Sequence, residues 1–168
     1  MLELAATRAS VIGCYAAPEA LEALATVGNA TSCRVAPDEV MLIGEPGSAE
    51  ELVRTAADLT AGADPDAVAL DTSDGWAIWT LAGDATRGAF AFLSAVALPA
   101  EGFVQGAVAH VPVKVVVLPD RLHLLVPSMW HEHLRERILH DCASLGVQEV
   151  PESVDWTASV APKRRRGK

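Results

Sequence analysis

The densest set of potential ligands in this chain is His131, Glu132, His133, His140, Asp141 and Cys142. A zinc pair on a helix needs i, i+4 spacing, as in HExxH, whereas His131 and His133 stand about 200° apart on a helix. Glu136 shares a face with His140 and with Glu132, but Arg135 and Arg137 beside them read as partners in i, i+3 and i, i+4 ion pairs. The segment reads as a charged helix face, and no metal is expected.

A second polar group is Asp71, Thr72, Ser73, Asp74 and Gly75, two carboxylates and two hydroxyls in one tight turn. Such a turn can bind a small polar ligand, and the same residue types also form Asx and Ser/Thr turns by purely local hydrogen bonding. Asp71, Ser73 and Asp74 are the candidate cofactor-binding residues. The chain has no GxGxxG, no GxxxxGK[ST] and no GxSxG, so neither a nucleotide site nor nucleophilic hydrolysis is signalled. No catalytic residue is expected.

Four tryptophans stand against one tyrosine and three phenylalanines. Trp76 and Trp79 fall on opposite faces of one strand, so at most one of them can face a helix-covered core. The other must be covered by a second unit or by a partner, because central aromatics are what interfaces use. Trp76, Trp79 and Trp130 are therefore the expected partner-facing residues. Cys14, Cys33 and Cys142 lie in no metal-ligand or CxxC spacing and read as reduced core thiols.

The elements that must position these groups follow from periodicity and turn chemistry. Ser10–Tyr15 reads as a strand, and Pro18 opens a helix that closes at Gly28-Asn29. Residues 32–36 and 39–44 form a hairpin about Pro37-Asp38, since proline presets the first turn angle. Ser48 is the expected N-cap of a helix over 49–59. Residues 67–71 and 75–81 read as strands, and Gly83-Asp84 introduces a helix to about Ala95. Strands over 103–110, 112–118 and 121–126 follow, the last two joined at Pro119-Asp120. Pro127-Ser128 then start a helix from Met129 to about Leu145.

The two Pro-Asp turns lie 82 residues apart, and at that offset Val35 meets Val117, Leu42 meets Leu124, Glu50 meets Glu132 and Leu52 meets Leu134. Strand, turn, strand, N-cap and helix recur in one order. The expected fold is α+β: two tandem βαββα units of the ferredoxin-like, split βαβ kind, with antiparallel sheets packed against helices. The pseudo-repeats span about 8–66 and 67–150 of a single compact domain, the second with an extra strand over 103–110, and 151–168 is expected to be a flexible tail.

With 168 residues and 51% hydrophobic composition, the chain can bury a substantial core. A formal charge of −9 argues against nucleic acid or an anionic membrane surface as the main partner. The run Lys163–Arg166 and Lys168 is the exception and is expected to be solvated. No basic segment precedes an apolar stretch at the N-terminus, and no uncharged apolar run is long enough to span a bilayer. A cytoplasmic location is expected.

Four stretches carry a family resemblance: RVAPDEVMLI (34–43), ALDTSDGWAIWTL (69–81), residues 83–98, and RLHLLVPSMWHEHLRERIL (121–139). Together they resemble the gamma subunit of heterotetrameric sarcosine oxidase, a relative of the glycine cleavage aminomethyltransferase. Asp84 and Ala36 depart from the family's usual Pro and Gly, and the KGCYxGQE signature of related YgfZ-like folate-binding proteins is absent. The resemblance implies a non-catalytic accessory subunit with no cofactor of its own. Its alpha, beta and delta partner subunits would hold FAD, FMN, NAD and tetrahydrofolate and oxidatively demethylate an N-methylated amino acid. The alternative it leaves open is a stand-alone tetrahydrofolate-binding, aminomethyltransferase-like protein.

Overall fold

The computed structural model describes residues 1–157. The basic run and the rest of 158–168 lie outside the described residues. Among the described residues eleven strands form two sheets, and four α-helices cover them, which makes the fold α+β with mainly antiparallel pairing.

The four-stranded sheet is built from β2 (Ser10–Tyr15), β3 (Ala30–Ala36), β4 (Glu39–Gly44) and β5 (Val68–Asp71), in the order β3-β4-β2-β5. Along β2 and β4, Ile12, Cys14, Val40 and Leu42 alternate onto one face, as the period of two requires. They bury there with Leu21 of α1 (Pro18–Leu21), with Leu24, and with Leu52 of α2 (Ala49–Thr60). Pro18 occupies the first turn of α1, where its missing N–H costs nothing. The helix expected to run to Gly28 is a single α-turn continued as a 3-10 helix over Glu22–Thr26.

The second sheet has the order β10-β1-β6-β9-β8-β7, with β11 also on β1. Its strands are β1 (Leu2–Arg8), β6 (Trp76–Ala82), β7 (Gly102–Val108), β8 (Val111–Val117), β9 (Arg121–Pro127), β10 (Val147–Glu149) and β11 (Val154–Asp155). Leu2, Leu4, Trp79, Leu81, Leu122 and Leu124 face α3 (Thr86–Leu93) and α4 (His131–Asp141), which supply Phe90, Leu93, Leu134 and Ile138. The opposite faces of the two sheets meet in a third cluster, where Val11, Met41 and Ile43 pack against Ile78, Val116, Leu125 and Trp156. The layers therefore run helices, sheet, sheet, helices.

Two sequence expectations are corrected here, and one strand is added to them. Residues 67–71, read as the opening strand of the second unit, instead pair with β2 and complete the first sheet, so the change of unit falls at 72–75. The N-terminal seven-residue strand β1 was not foreseen, and it lies antiparallel to β6 in the second sheet. The described part of the expected tail, residues 151–157, is tied to the fold. Val154 and Asp155 pair in parallel with Thr7 and Arg8, and the Trp156 N–H donates to the Arg8 carbonyl at 2.8 Å. The cause is the Trp156 side chain, which is only 1% exposed; burying so large an apolar surface outweighs the entropy of ordering its neighbours.

One main-chain hydrogen bond recurs in the two sheets. The residue after the first strand of each unit donates to the aspartate carbonyl of that unit's Pro-Asp turn: Ala16 N–H to Asp38 at 3.2 Å, and Gly83 N–H to Asp120 at 3.4 Å. The hairpins differ at one point. Between Arg34 and Ala36 the β3–β4 register shifts, leaving Val35 bulged, whereas β8 and β9 pair regularly.

Candidate functional site

The chain passes between the two sheets twice, and both crossings meet at the Asp71–Gly75 turn. Arg8 ends β1 in one sheet, and Ser10 starts β2 in the other. Asp71 ends β5, a short 3-10 turn follows over Ser73–Gly75, and Trp76 starts β6. Thr72 donates its N–H and its hydroxyl to the Val11 carbonyl, at 2.9 and 3.1 Å. The Val11 N–H donates to Ser73 Oγ at 2.9 Å. Ser73 in turn donates its hydroxyl (2.6 Å) and its N–H (3.0 Å) to Asp71 Oδ1. These two bonds hold the exposed Asp71 carboxyl below the usual carboxylate range.

Of the sequence-predicted residues, Asp71 and Ser73 thus form with Thr72 a clasp between the crossings, and Asp74 stands beside it. Asp71, Ser73 and Asp74 line a cleft of about 430 Å³ with Arg8, Ser10 and Trp76. Asp74 is exposed, while Ser10 is buried and accepts the Ser48 N–H at 3.1 Å. Ser48 precedes α2 as expected, but its hydroxyl turns back to the Glu45 carbonyl at 2.7 Å and makes no capping bond.

The tryptophans divide. Trp76 is half-buried on the inter-sheet side of β6, with Lys114 Nζ 4.9 Å from its ring centroid. It also borders a second cleft of about 520 Å³ with Gln105, Lys114 and Pro127. Trp130 is 39% exposed beside Met129, which is 81% exposed. Trp79 corrects the expectation of a partner-facing residue, being 3% exposed beneath α4. Its ring stacks on His131 at 4.7 Å, and its Nε1–H donates to the His131 carbonyl at 3.2 Å. Burial of the indole is compatible with a core position because that N–H finds its acceptor.

The charged face of α4 is organised by ion pairs. Arg135 reaches both Glu132 (2.9 Å) and Glu149 (2.6 Å), and Arg137 reaches Asp141 at 2.7 Å. Among the described residues no group of three His, Cys, Asp or Glu side chains is placed to hold a metal ion. Burial pushes the Cys14 thiol up to about 11 and the Cys33 thiol up to about 12, which suppresses thiolate formation in both.

One polar group escaped the sequence reading. On the inter-sheet face, Thr7, Thr80 and His123 form a hydrogen-bonded row, with Thr80 Oγ1 2.7 Å from His123 Nδ1. Trp156 lies against the His123 ring, with centroids 4.3 Å apart. His123 is 5% exposed, and burial, reinforced by Arg121, pulls its imidazole down to about 4. His123 is therefore neutral near pH 7. The signal present in the sequence was a lone histidine within the apolar run of β9.

No protein-family model matches the chain, and no curated protein matches it in sequence. In structure it is similar to a chain of the heterotetrameric sarcosine oxidase from Corynebacterium sp. U-96 in complex with pyrrole 2-carboxylate. The TM-score is 0.74 at 17% identity, over 89% of this chain and 87% of that one. It is also similar to the glycine cleavage system aminomethyltransferase T from Bartonella henselae, with a TM-score of 0.63 at 16% identity, over 89% of this chain. The match covers 47% of that enzyme, so this chain spans about half its length. The fold is the one that these two proteins share, as the resemblance in sequence implied. Among the described residues no helix is long and apolar enough to cross a membrane.

Proposed function

We propose that this chain is a non-catalytic accessory subunit, gamma-like, of a heterotetrameric sarcosine oxidase-type complex. Its alpha, beta and delta partners carry FAD, FMN, NAD and tetrahydrofolate and demethylate an N-methylated amino acid in the cytoplasm. The observation that carries this reading is the nearly end-to-end correspondence, 89% of one chain on 87% of the other, with a sarcosine oxidase chain. The half-length match to the transferase supports it less, because half of that enzyme has no counterpart in this chain. Trp130 and Met129, adjacent and solvent-exposed, are aromatic and apolar groups of the kind that interfaces bury.

Co-expression of the full chain with the flavoprotein subunits of such a complex is expected to give one co-eluting assembly. A chain that elutes alone beside a complete flavoprotein would overturn the reading. A second reading, a stand-alone tetrahydrofolate-binding protein, is favoured by the cleft that joins Asp71 and Asp74 to Trp76. Titration with tetrahydrofolate separates the two. Saturable quenching of tryptophan emission that Trp76→Phe removes supports folate binding, and unchanged emission at millimolar ligand excludes it.

A further inference from the structure

Among the described residues β5 ends the order of its sheet and pairs with β2 on one side only. Ala69 faces the helices, so Val68 and Leu70 point to the opposite face, the one that the second sheet covers elsewhere. Here it is not covered: Val68 is 45% exposed, Leu70 51%, and Tyr15, opposite Val68 on β2, 42%. Native sheets commonly blunt such an edge with lysine, proline or a bulge. Val68–Asp71 contains no lysine or proline, and its pairing with β2 is regular.

The surroundings are acidic to an unusual degree. From Thr55 to Thr86 the chain carries six aspartates and no Lys, Arg or His. Asp64 and Asp66 precede β5, Asp71 ends it and Asp74 follows it. Glu39 lies opposite Tyr15 on β4. None of these five carboxylates forms an ion pair among the described residues, whereas the Glu132, Asp141 and Glu149 carboxylates around α4 all do.

We propose that the open edge of β5 is a docking site for an extended, Lys/Arg-bearing strand of a partner chain. The strand would pair with the β5 main chain, rest alternate apolar side chains on Val68, Leu70 and Tyr15, and place its cations against Asp64, Asp66, Asp71 and Asp74. Main-chain pairing supplies affinity in such strand addition, and side-chain alternation with charge complementarity supplies selectivity. The accessory-subunit reading bears on this only through the partner's identity.

The test uses the full chain and two fluorescein-labelled synthetic octapeptides, one alternating Val with Lys and Arg, the other with every Val replaced by Ser. The valine peptide is expected to bind at least tenfold more tightly than the serine peptide. Leu70→Ser and, separately, Ala69→Pro are expected to abolish that preference, with circular dichroism checking that each variant is folded. Equal binding of both peptides, or a preference that survives both variants, overturns the proposal. A concentration-dependent dimer removed by Leu70→Ser would assign the edge to a second copy of this chain instead. Carbodiimide coupling of Lys163 or Lys168 to Asp71 or Asp74 within the monomer would assign it to the chain's own basic run. No flavoprotein subunit is present in the assay, so its failure and a failed co-expression are separate results.

Discussion

The Val11 N–H donates to Ser73 Oγ at 2.9 Å, joining the residue that enters the first sheet to the turn that leaves it. Ser73→Ala removes that acceptor and leaves a partly buried backbone donor unpaired, at a cost of about 1–2 kcal/mol. Urea unfolding should show this as a lower midpoint with an unchanged m-value. Asp74→Asn, whose carboxylate takes no part in the clasp, should leave the midpoint where it is.

What the sequence disclosed, and what it hid, divides along the range of the interactions. Both Pro-Asp hairpins, α2 and the polar turn are set by neighbours in the chain, and each lies within a few residues of its expected place. β1 stayed hidden because its pairing partner β6 begins some 70 residues later, and Leu2 and Leu4 become core only once β6, α3 and α4 lie against them. β5 was assigned to the wrong unit for a related reason. A four-residue apolar run states that it is a strand but not which neighbour it takes. Asp71, Ser73 and Asp74 are legible as a group, yet the bonds from Thr72 and Ser73 to Val11, some 60 residues earlier, could not be read from the turn itself.

Trp156 closes one end of the inter-sheet core with its Nε1 lacking a hydrogen-bond partner among the described residues. Trp156→Phe should therefore cost little beyond lost volume, whereas Trp156→Ala should cost about 3–5 kcal/mol through the cavity it opens. Thermal unfolding followed by circular dichroism would show the two variants far apart. Near-equal losses would mean that the packing around the ring is not what holds Val154–Trp156 in place.

Gly83 and Gly88 give opposite predictions for the same substitution. Gly83 sits at φ +123°, and a Cβ there would strike the Met1 carbonyl, so Gly83→Ala should displace the start of β1 and destabilise the chain by about 2 kcal/mol or more. Gly88 lies inside α3 with nothing within 4 Å of the place an alanine methyl would take, and Gly88→Ala should stabilise by about 0.5–1 kcal/mol. Denaturant midpoints moving in opposite directions would establish both.

The bulged Val35 turns its carbonyl toward the other sheet, where Gln105 Nε2 of β7 donates to it at 2.9 Å. The extra strand of the second unit thereby satisfies the irregularity of the first. Gln105→Ala should lower stability by about 1 kcal/mol. In hydrogen exchange, faster opening should be confined to the β3 and β7 edges, and Gln105→Glu, which keeps the length but cannot donate, should behave like the alanine variant.

His123 makes stability depend on pH with a definite sign. Its imidazole titrates near 4 in the folded chain because burial disfavours the charged form, against an ordinary value of 6.5. The unfolded chain therefore binds the proton first as pH falls. The contribution is fully present above about pH 6.5, is lost progressively between 6.5 and 4, and levels off below 4. At about 1.4 kcal/mol per pH unit across that window, the loss approaches about 3 kcal/mol. Urea unfolding of wild type and His123→Gln at pH 7.5, 5.5 and 4.5 isolates this term from the carboxylates, which titrate identically in both proteins. The two curves of stability against pH should converge as the solution is acidified. A gap that stays constant from pH 7.5 to 4.5 would show that His123 titrates in the folded chain as it does in the unfolded one.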